Sequence, residues 1–330
     1  MAHFLITGGA GFIGSHLAEA LLDDEHQVTA IDNLSTGRLE NVEHFKSHPQ
    51  FSLVIEDIQN ESALDRLVGQ CDVIVHLAAV VGVDIVVKEP LRTLSTNIGG
   101  TEAVLRAAKR HEVKTLLAST SEVYGKGARV PFSEDDDVLL GPTCRQRWAY
   151  AASKMVDEFW GLAYHQEYGL PVVIFRLFNT VGPRQTGRYG MVMPRFVEAA
   201  LHNKPLRVFG DGSQSRCFCH VRDVVRAIAA LADVPTAVGQ VFNVGTTEEI
   251  SILNLARRAI ELTESESEIV FVPYDQAYAH GYEDMARRVP DTTRLRQAVG
   301  WTPHYSLDDI ILDIASWLRD HPGEGLPLSG

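Results

Sequence analysis

Short apolar and β-branched runs alternate along the first half of the chain with stretches whose apolar residues recur at helical spacing. Phe4 to Thr7, Val28 to Ile31, Ser52 to Ile55, Val73 to His76, Thr115 to Ser119 and Val172 to Arg176 predict strands. Between them, Ile13 to Leu22, Ala63 to Val68, Leu91 to Arg110 and Ala149 to Tyr168 predict helices. Strands that are apolar throughout are buried on both faces, and a strand–helix–strand rhythm pairs them in parallel. The expected fold is α/β, a doubly wound parallel sheet. After Arg176 the rhythm breaks: Gly and Pro cluster around 181–188 and 210–212, before a helix at Val221 to Ala232 and a short strand at Val241 to Val244 that could rejoin the sheet. One domain is expected over 1–176, completed by about 220–247. A smaller, discontinuous C-terminal α/β lobe is expected from 177–219 and 248–330.

Composition narrows the function. The 330 residues carry a net charge of −13, which opposes non-specific attraction to nucleic acid or anionic lipid, so any phosphate must be held locally. The most apolar stretch, Val73 to Val83, is flanked by Asp72 and Asp84 and is far shorter than a membrane span of roughly 20 residues. The chain enters a strand at once, without the marks of a secretory leader, which predicts a cytoplasmic protein. Cys71, Cys144, Cys217 and Cys219 have neither metal-site nor disulfide-framework spacing and read as reduced thiols. Cys217, Cys219 and His220 read as packing or pocket lining, the acidic run 135–137 as a solvated loop, and no metal is expected.

The first strand runs directly into Gly8-Gly9-Ala10-Gly11-Phe12-Ile13-Gly14, which opens a helix. Gly8 permits a tight turn, Gly11 lets the backbone approach a pyrophosphate, and Gly14 lets helix and strand pack closely, with the helix N-terminus aimed at the phosphates. Asp32 ends the second strand, where a carboxylate can accept both ribose hydroxyls of an adenosine. That carboxylate would repel the 2′-phosphate of NADP, so NAD is the expected cofactor, although Arg38 lies close enough in sequence to reach such a phosphate. Asp57 and Ile58 after the third strand, Leu77, Ala78 and Ala79 after the fourth, and Asn97 in the next helix fall where the rest of a dinucleotide would run. The domain is therefore expected to be Rossmann-type.

The fifth strand ends in Ser119-Thr120-Ser121-Glu122-Val123-Tyr124, and a later helix carries Tyr150 and Lys154. Spacing of i, i+4 stacks both side chains on one face, so an ammonium beside the phenol should lower its pKa from about 10 toward the working range. Tyr150 would then act as general base toward a carbinol, with Thr120 holding the same oxygen. Together with Phe178-Asn179-Thr180-Val181-Gly182-Pro183-Arg184, Gly210-Asp211-Gly212-Ser213-Gln214-Ser215-Arg216 and Asn243-Val244-Gly245, these motifs resemble the extended short-chain dehydrogenase/reductases that act on nucleotide-sugars. The resemblance spans Gly8 to Trp301. It implies that Asn179 and Arg216 contact the nucleotide diphosphate, with Arg184 a further substrate-side arginine, and that the smaller lobe closes over the sugar.

Within that family, oxidation at C4 is shared, and what handles the keto sugar decides the reaction. The 4,6-dehydratases carry Asp-Glu where this chain has Ser121-Glu122, and the simple 4-epimerases usually lack the glutamate; Ser-Glu resembles the UDP-glucuronic acid decarboxylases. The segments Gln146 to Tyr150, Gly281 to Asp291 and Gly300 to Pro303 resemble those enzymes and the UDP-apiose/xylose synthases. By that resemblance Tyr282 lies by the nucleotide and Arg288 faces the reacting carboxylate; the other reading of Arg288 is a diphosphate ligand.

The expected activity is C4 oxidation of UDP-glucuronate followed by decarboxylation, to UDP-xylose or to a UDP-4-keto-pentose. Glu122 would orient the sugar or relay a proton, while Thr120 and Tyr150 hold the enolate oxygen. A UDP-sugar 4-epimerase needs only Thr120, Tyr150 and Lys154 and is the alternative; a non-catalytic NAD-binding regulator is a third reading, opposed by the presence of both Tyr150 and Lys154. The resemblance also implies a homodimer formed through Leu91 to Arg110 and Ala149 to Tyr168.

Overall fold

The computed structural model describes residues 1–127, 129–187, 191–273, 285 and 287–322. The first half runs β1 (His3–Thr7), α1 (Phe12–Asp23), β2 (Gln27–Asp32), β3 (Phe51–Ile55), α2 (Glu61–Val68), β4 (Val73–His76), α3 (Val83–Lys88), α4 (Pro90–His111), β5 (Lys114–Thr120), α5 (Trp148–Tyr168) and β6 (Val172–Leu177). The second half runs β7 (Thr180–Val181), α6 (Val192–Leu201), β8 (Leu206–Phe209), β9 (Ser215–Cys217), β10 (Cys219–His220), α7 (Val221–Asp233), β11 (Val241–Val244), β12 (Glu249–Ser251), α8 (Ile252–Leu262), β13 (Ile269–Val272), α9 (Thr293–Val299) and α10 (Leu307–Asp320).

Seven strands form one parallel sheet in the order β11-β6-β5-β4-β1-β2-β3, so β11 does rejoin the sheet beside β6. Its strands are buried on both faces, as their apolar runs require: β4 is buried at every position and β1 at four of five. On one face α1 and α7 pack over Phe4, Ile6, Val75 and Phe175; on the other α2, α4 and α5 cover Leu5, Ile74, Leu117 and Ile174. The chain moves from β1 through β2 to β3 and then crosses back to β4 on the other side of β1. Helices therefore leave on opposite faces at the C-terminal ends of β1 and β4, which opens a crevice there.

Local sequence sets the element ends. Asn60 caps α2 by accepting from the Ala63 amide (3.3 Å). Pro at N1 opens α4, and its last turn holds Lys109, Arg110 and His111 against the negative end of the helix dipole. Gly169, at φ +71°, terminates α5 in the left-handed conformation. A capping box between Ser306 and Asp309 starts α10.

A second apolar cluster gathers α6, β8, α8 and α10 around Phe196, Val208, Leu255 and Ile311. The final segment does not stay in that lobe, as the expected boundary at 248–330 implied. Leu295 and Trp301 are buried in the α1/α7 core, and the Trp301 indole donates to the Asp223 carbonyl (2.9 Å), since α7 offers those side chains an apolar surface.

Two buried histidines tie the crevice to this frame. His76 ends β4 fully enclosed between the hydroxyls of Thr7 (2.8 Å) and Thr101 (3.0 Å), and His16 of α1 meets the Pro183 carbonyl (3.0 Å). Burial pushes both imidazoles down to about 3, with Lys154 adding to it at His76 and Arg184 at His16. Their folded pKa values lie below the unfolded value of about 6.5. The unfolded chain therefore binds more protons below that pH, and stability falls on acidification through the window from about 6.5 down to about 3. Urea unfolding at pH 7 and pH 5.5 should show a loss of about 2 kcal/mol attributable to the pair, and His16→Gln should remove about half of that pH dependence.

Candidate active site

At the C-terminal edge of the sheet lies a cleft of about 860 Å³, walled by the loops after β1, β2, β3, β4 and β5, by α5, and by residues of the second cluster. Its floor is the glycine-rich turn. Gly8 sits at φ +71°, where a Cβ would stand 2.9 Å from the Ala78 backbone nitrogen. At Gly14 a Cβ would stand 2.2 Å from the Gly8 carbonyl oxygen, so helix and turn meet with no room for a side chain. Gly11 is the N-cap of α1 and has no side chain to satisfy the first amides, and Phe12 to Ser15 include no carboxylate. Amides left open at a helix N-terminus suit a pyrophosphate.

Asp32 closes β2 beside this turn, nearly buried, and its oxygens accept from the amides of Ala10 (3.0 Å) and Leu34 (2.8 Å). Burial raises its pKa, opposed by those amide bonds, the Leu34 one first. The carboxylate lines the cleft and, with up to about four acceptor sites, fits the paired hydroxyls of a ribose. Phe12, Ile13, Arg38, Asp57, Ile58, Leu77, Ala78 and Ala79 all line the cleft. The residues present thus fit a dinucleotide.

Asn97 does not reach the wall. It is fully buried behind it, where its Oδ1 accepts from the Val80 amide (2.7 Å) and its Nδ2 donates to the Ser153 hydroxyl (3.1 Å), joining α4 to α5. Its polar side chain is consumed in holding the scaffold.

At the other end Thr120, Ser121, Glu122, Tyr150 and Lys154 share the wall with Asn179, Arg216 and Arg288. Thr120 ends β5 and caps the 3-10 turn Ser121–Tyr124, accepting from the Glu122 amide (3.2 Å) and hydrogen-bonding the Tyr150 phenol. The Tyr150 pKa moves opposite to expectation: it is raised, first by burial and then by the charges of Glu122 and Asp157, with only the Thr120 bond opposing. The ammonium meant to lower it pairs instead with Asp157, Lys154 Nζ to Oδ2 at 3.0 Å, both side chains almost fully buried.

Glu122 is held from two sides. Arg147 Nη1 donates to Oε2 (2.9 Å) and Arg288 Nη1 to Oε1 (2.5 Å). Arg147, at the N-cap of α5, also lies 4.6 Å over the Trp148 ring. Sequence reading gave Arg147 no role; three residues ahead of Tyr150, it reaches the cleft only because the turn into α5 brings it back toward Glu122.

Asn179 donates to the Cys217 carbonyl (2.8 Å), and Arg216 in β9 is buried with Nη1 on the Ser215 carbonyl (2.7 Å). Arg184 touches the cleft, but its guanidinium turns to Glu19 of α1 (2.6 Å) and to the Ser15 hydroxyl (3.4 Å), so it serves as a clasp onto α1 rather than as the expected substrate arginine. Tyr282 lies outside the described residues. Cys217 and Cys219 are buried free thiols, and the described residues include no cluster of three metal-binding side chains. No helix among the described residues is long and apolar enough to cross a membrane.

Comparison with known proteins places this geometry in a group. A family model described as GDP-mannose 4,6 dehydratase matches residues 5–314. The chain is 42% identical over 317 residues to a UDP-N-acetyl-alpha-D-glucosaminuronate decarboxylase of Bacillus cytotoxicus, covering 96% of this chain and 97% of that one. It is 38% identical over 305 residues to UDP-glucuronic acid decarboxylase 1 of Xenopus tropicalis, covering 92% and 69%. The structure superposes on the UDP-glucuronic acid 4-epimerase of Bacillus cereus, solved with UDP-glucuronic acid and NAD, with a TM-score of 0.87 at 29% identity over 96% of this chain and 99% of that one.

The crowding at Gly14 gives a direct check on the floor of the cleft. Gly14→Ala should leave a cooperatively folding chain whose dinucleotide affinity, measured by calorimetric titration, falls at least about tenfold, about 1.4 kcal/mol.

Proposed function

The chain belongs to the NAD-dependent epimerase/dehydratase branch of the extended short-chain dehydrogenase/reductases and is a nucleotide-sugar-modifying enzyme, and from that premise we propose that it decarboxylates a UDP-linked uronic acid through a 4-keto intermediate. The observation that carries the reading is the Arg147–Glu122–Arg288 cluster in the wall beside Thr120 and Tyr150. Two guanidinium groups beside the reacting end suit a carboxylated sugar better than a neutral hexose. A guanidinium fork recognises a carboxylate in the plane that holds it still.

NAD, when bound, supplies a reversible hydride acceptor; Asp32 opposes the 2′-phosphate of NADP. Tyr150, in its ionised form, takes the proton of the C4 hydroxyl while Thr120 orders that oxygen. With C4 a ketone, the carboxylate on C5 is β to it. The C5–carboxyl bond breaks, its electron pair passes into the C4–C5 enolate, and carbon dioxide leaves. Thr120 and the protonated Tyr150 hydrogen-bond the enolate oxygen, replacing water by fixed donors. Glu122 keeps Arg288 directed at the carboxylate, and a proton returns to C5 before C4 is reduced. Asn179 and Arg216 would hold the diphosphate.

The uronic acid itself is either glucuronate or its 2-acetamido form, the substrates named for the two relatives. Incubation with UDP-glucuronate and with UDP-N-acetylglucosaminuronate, followed by mass spectrometry, should give loss of carbon dioxide from one or both; an isomer of unchanged mass would overturn the decarboxylase in favour of a 4-epimerase. Tyr150→Phe should abolish turnover while sparing dinucleotide binding. Arg288→Met should lower kcat about a hundredfold or more, with the loss confined to carboxylated substrates.

Homodimerisation through α4 and α5 belongs to the same proposal. It is supported by Leu91 and Phe159, large apolar side chains on those two helices that are 79% and 68% exposed. A dimer mass in light scattering should become a monomer mass in the Leu91→Asp/Phe159→Asp double variant.

A further inference from the structure

Lys154 is paired in the interior with a carboxylate, Asp157, to which neither the sequence motifs nor the proposed reaction gives a part. Asp157 lies i+3 from Lys154 on α5, so the two side chains stack on one face, and the carboxylate holds the ammonium at 3.0 Å with both side chains under 5% exposed. On the neighbouring α4 the Thr101 hydroxyl hydrogen-bonds His76 Nε2 (3.0 Å), whose Nδ1 meets the Thr7 hydroxyl (2.8 Å). Thr7 in turn accepts from the amides of Leu77 and Ala78 in the cofactor wall (3.2 and 3.1 Å). Lys154 is thus held from within α5 by the Asp157 carboxylate.

We infer that Asp157 is a positioning residue: it draws the Lys154 ammonium toward the base of α5, cancels part of its charge, and thereby sets the pH at which Tyr150 ionises. A cation lowers a neighbouring phenol's pKa in proportion to the charge the phenol experiences, and a carboxylate at contact distance from that cation removes most of it. Glu122 also raises the Tyr150 pKa, more than Asp157 does, but the carboxylate that holds the ammonium is Asp157. On α5 itself, Glu158 is tied bidentately to Arg176 of β6 (2.9 and 2.7 Å), and from the turn after β5 Glu122 is tied to Arg147 and Arg288. From β4, His76 is held neutral by burial and by Lys154. Asp157 is the carboxylate in contact with the ammonium, and its charge also acts on Tyr150 directly, in the direction that keeps the phenol protonated.

The test needs the dinucleotide and Tyr150 but no sugar substrate, so it stands or falls apart from the decarboxylation. The NAD-loaded protein is titrated by ultraviolet difference absorption at the phenolate band, with Tyr150→Phe as the reference that subtracts the other tyrosines. Asp157→Asn should bring the Tyr150 transition about one pH unit lower than in the unmodified protein, and Asp157→Glu, which keeps the charge, should leave it in place. Superimposable curves for Asp157→Asn and the unmodified protein, including the same lack of a Tyr150 signal in both, would overturn the inference. Asp157→Ser replaces Asp157→Asn if that variant does not melt cooperatively; failure of both to fold also counts against it, because the carboxylate is then structural only.

Discussion

The site stands on one buried ion pair. Arg176 of β6 grips Glu158 of α5 with two hydrogen bonds, and each partner is extended by neutral groups: the Ser119 hydroxyl at the end of β5 bonds Glu158, and the Tyr124 hydroxyl accepts from Arg176 (2.9 Å). Tyr124 then donates to Asn243 of β11 (2.7 Å), whose amide nitrogen donates to the carbonyls of Phe132 (2.9 Å) and Asp291 (3.2 Å). The chain of contacts fixes relative to one another the strand end that carries Thr120, the helix that carries Tyr150 and Lys154, and the returning segment that carries Arg288. Removing one member of such a pair strands a charge in the interior, at about 3–5 kcal/mol. Stacking of Tyr124 on Phe132, with ring centroids 4.6 Å apart, stiffens the same corner.

That rigidity explains why charges of both signs coexist in one cleft of an acidic protein. At one end of the cleft the open backbone amides at the start of α1 face the Asp32 carboxylate, which has amide donors of its own, and at the other end Arg216 is fixed in β9 by the Ser215 carbonyl. Asp32, Glu122, Lys154 and Arg216 each have a partner that sets their direction, so this part of the field inside the crevice is arranged locally and owes little to the net charge of −13.

Much of this was legible in the chain because it depends on periodicity and on backbone constraints. Apolar runs marked every strand of the main sheet, and the glycine spacing marked the cofactor turn, since no side chain fits at Gly8 or Gly14. What could not be read depends on how side chains divide their hydrogen bonds in three dimensions. Spacing placed Lys154 beside Tyr150, but the neighbour three residues on in sequence, Asp157, competes for the same ammonium. Asn97 and Arg184 lie where cofactor and substrate residues belong along the chain, yet one is spent on Val80 and Ser153 and the other on Glu19. The signal available for Arg147 was its position at the entry to α5, within reach of the turn after β5, and no periodicity carries such information.

The same frame bears on why closely similar clefts run different reactions. A 4-epimerase must release the keto sugar far enough to present its other face, which requires that nothing grip the ring substituents while C4 is planar. Decarboxylation requires the reverse: the C5–carboxyl bond must stay roughly perpendicular to the plane of the ketone so that its electrons can enter the π system, and a rotating sugar loses that alignment. An arginine held by Glu122 and carried on a segment pinned to Phe132 and Asn243 is a fixed point for a carboxylate. In the proposed reaction a sugar held there would keep the alignment that expels carbon dioxide and be denied the turn that would invert C4. Under the proposed reaction the choice between the two outcomes rests on how the carboxylate is held, and the hydride chemistry at the neighbouring C4 need not differ at all.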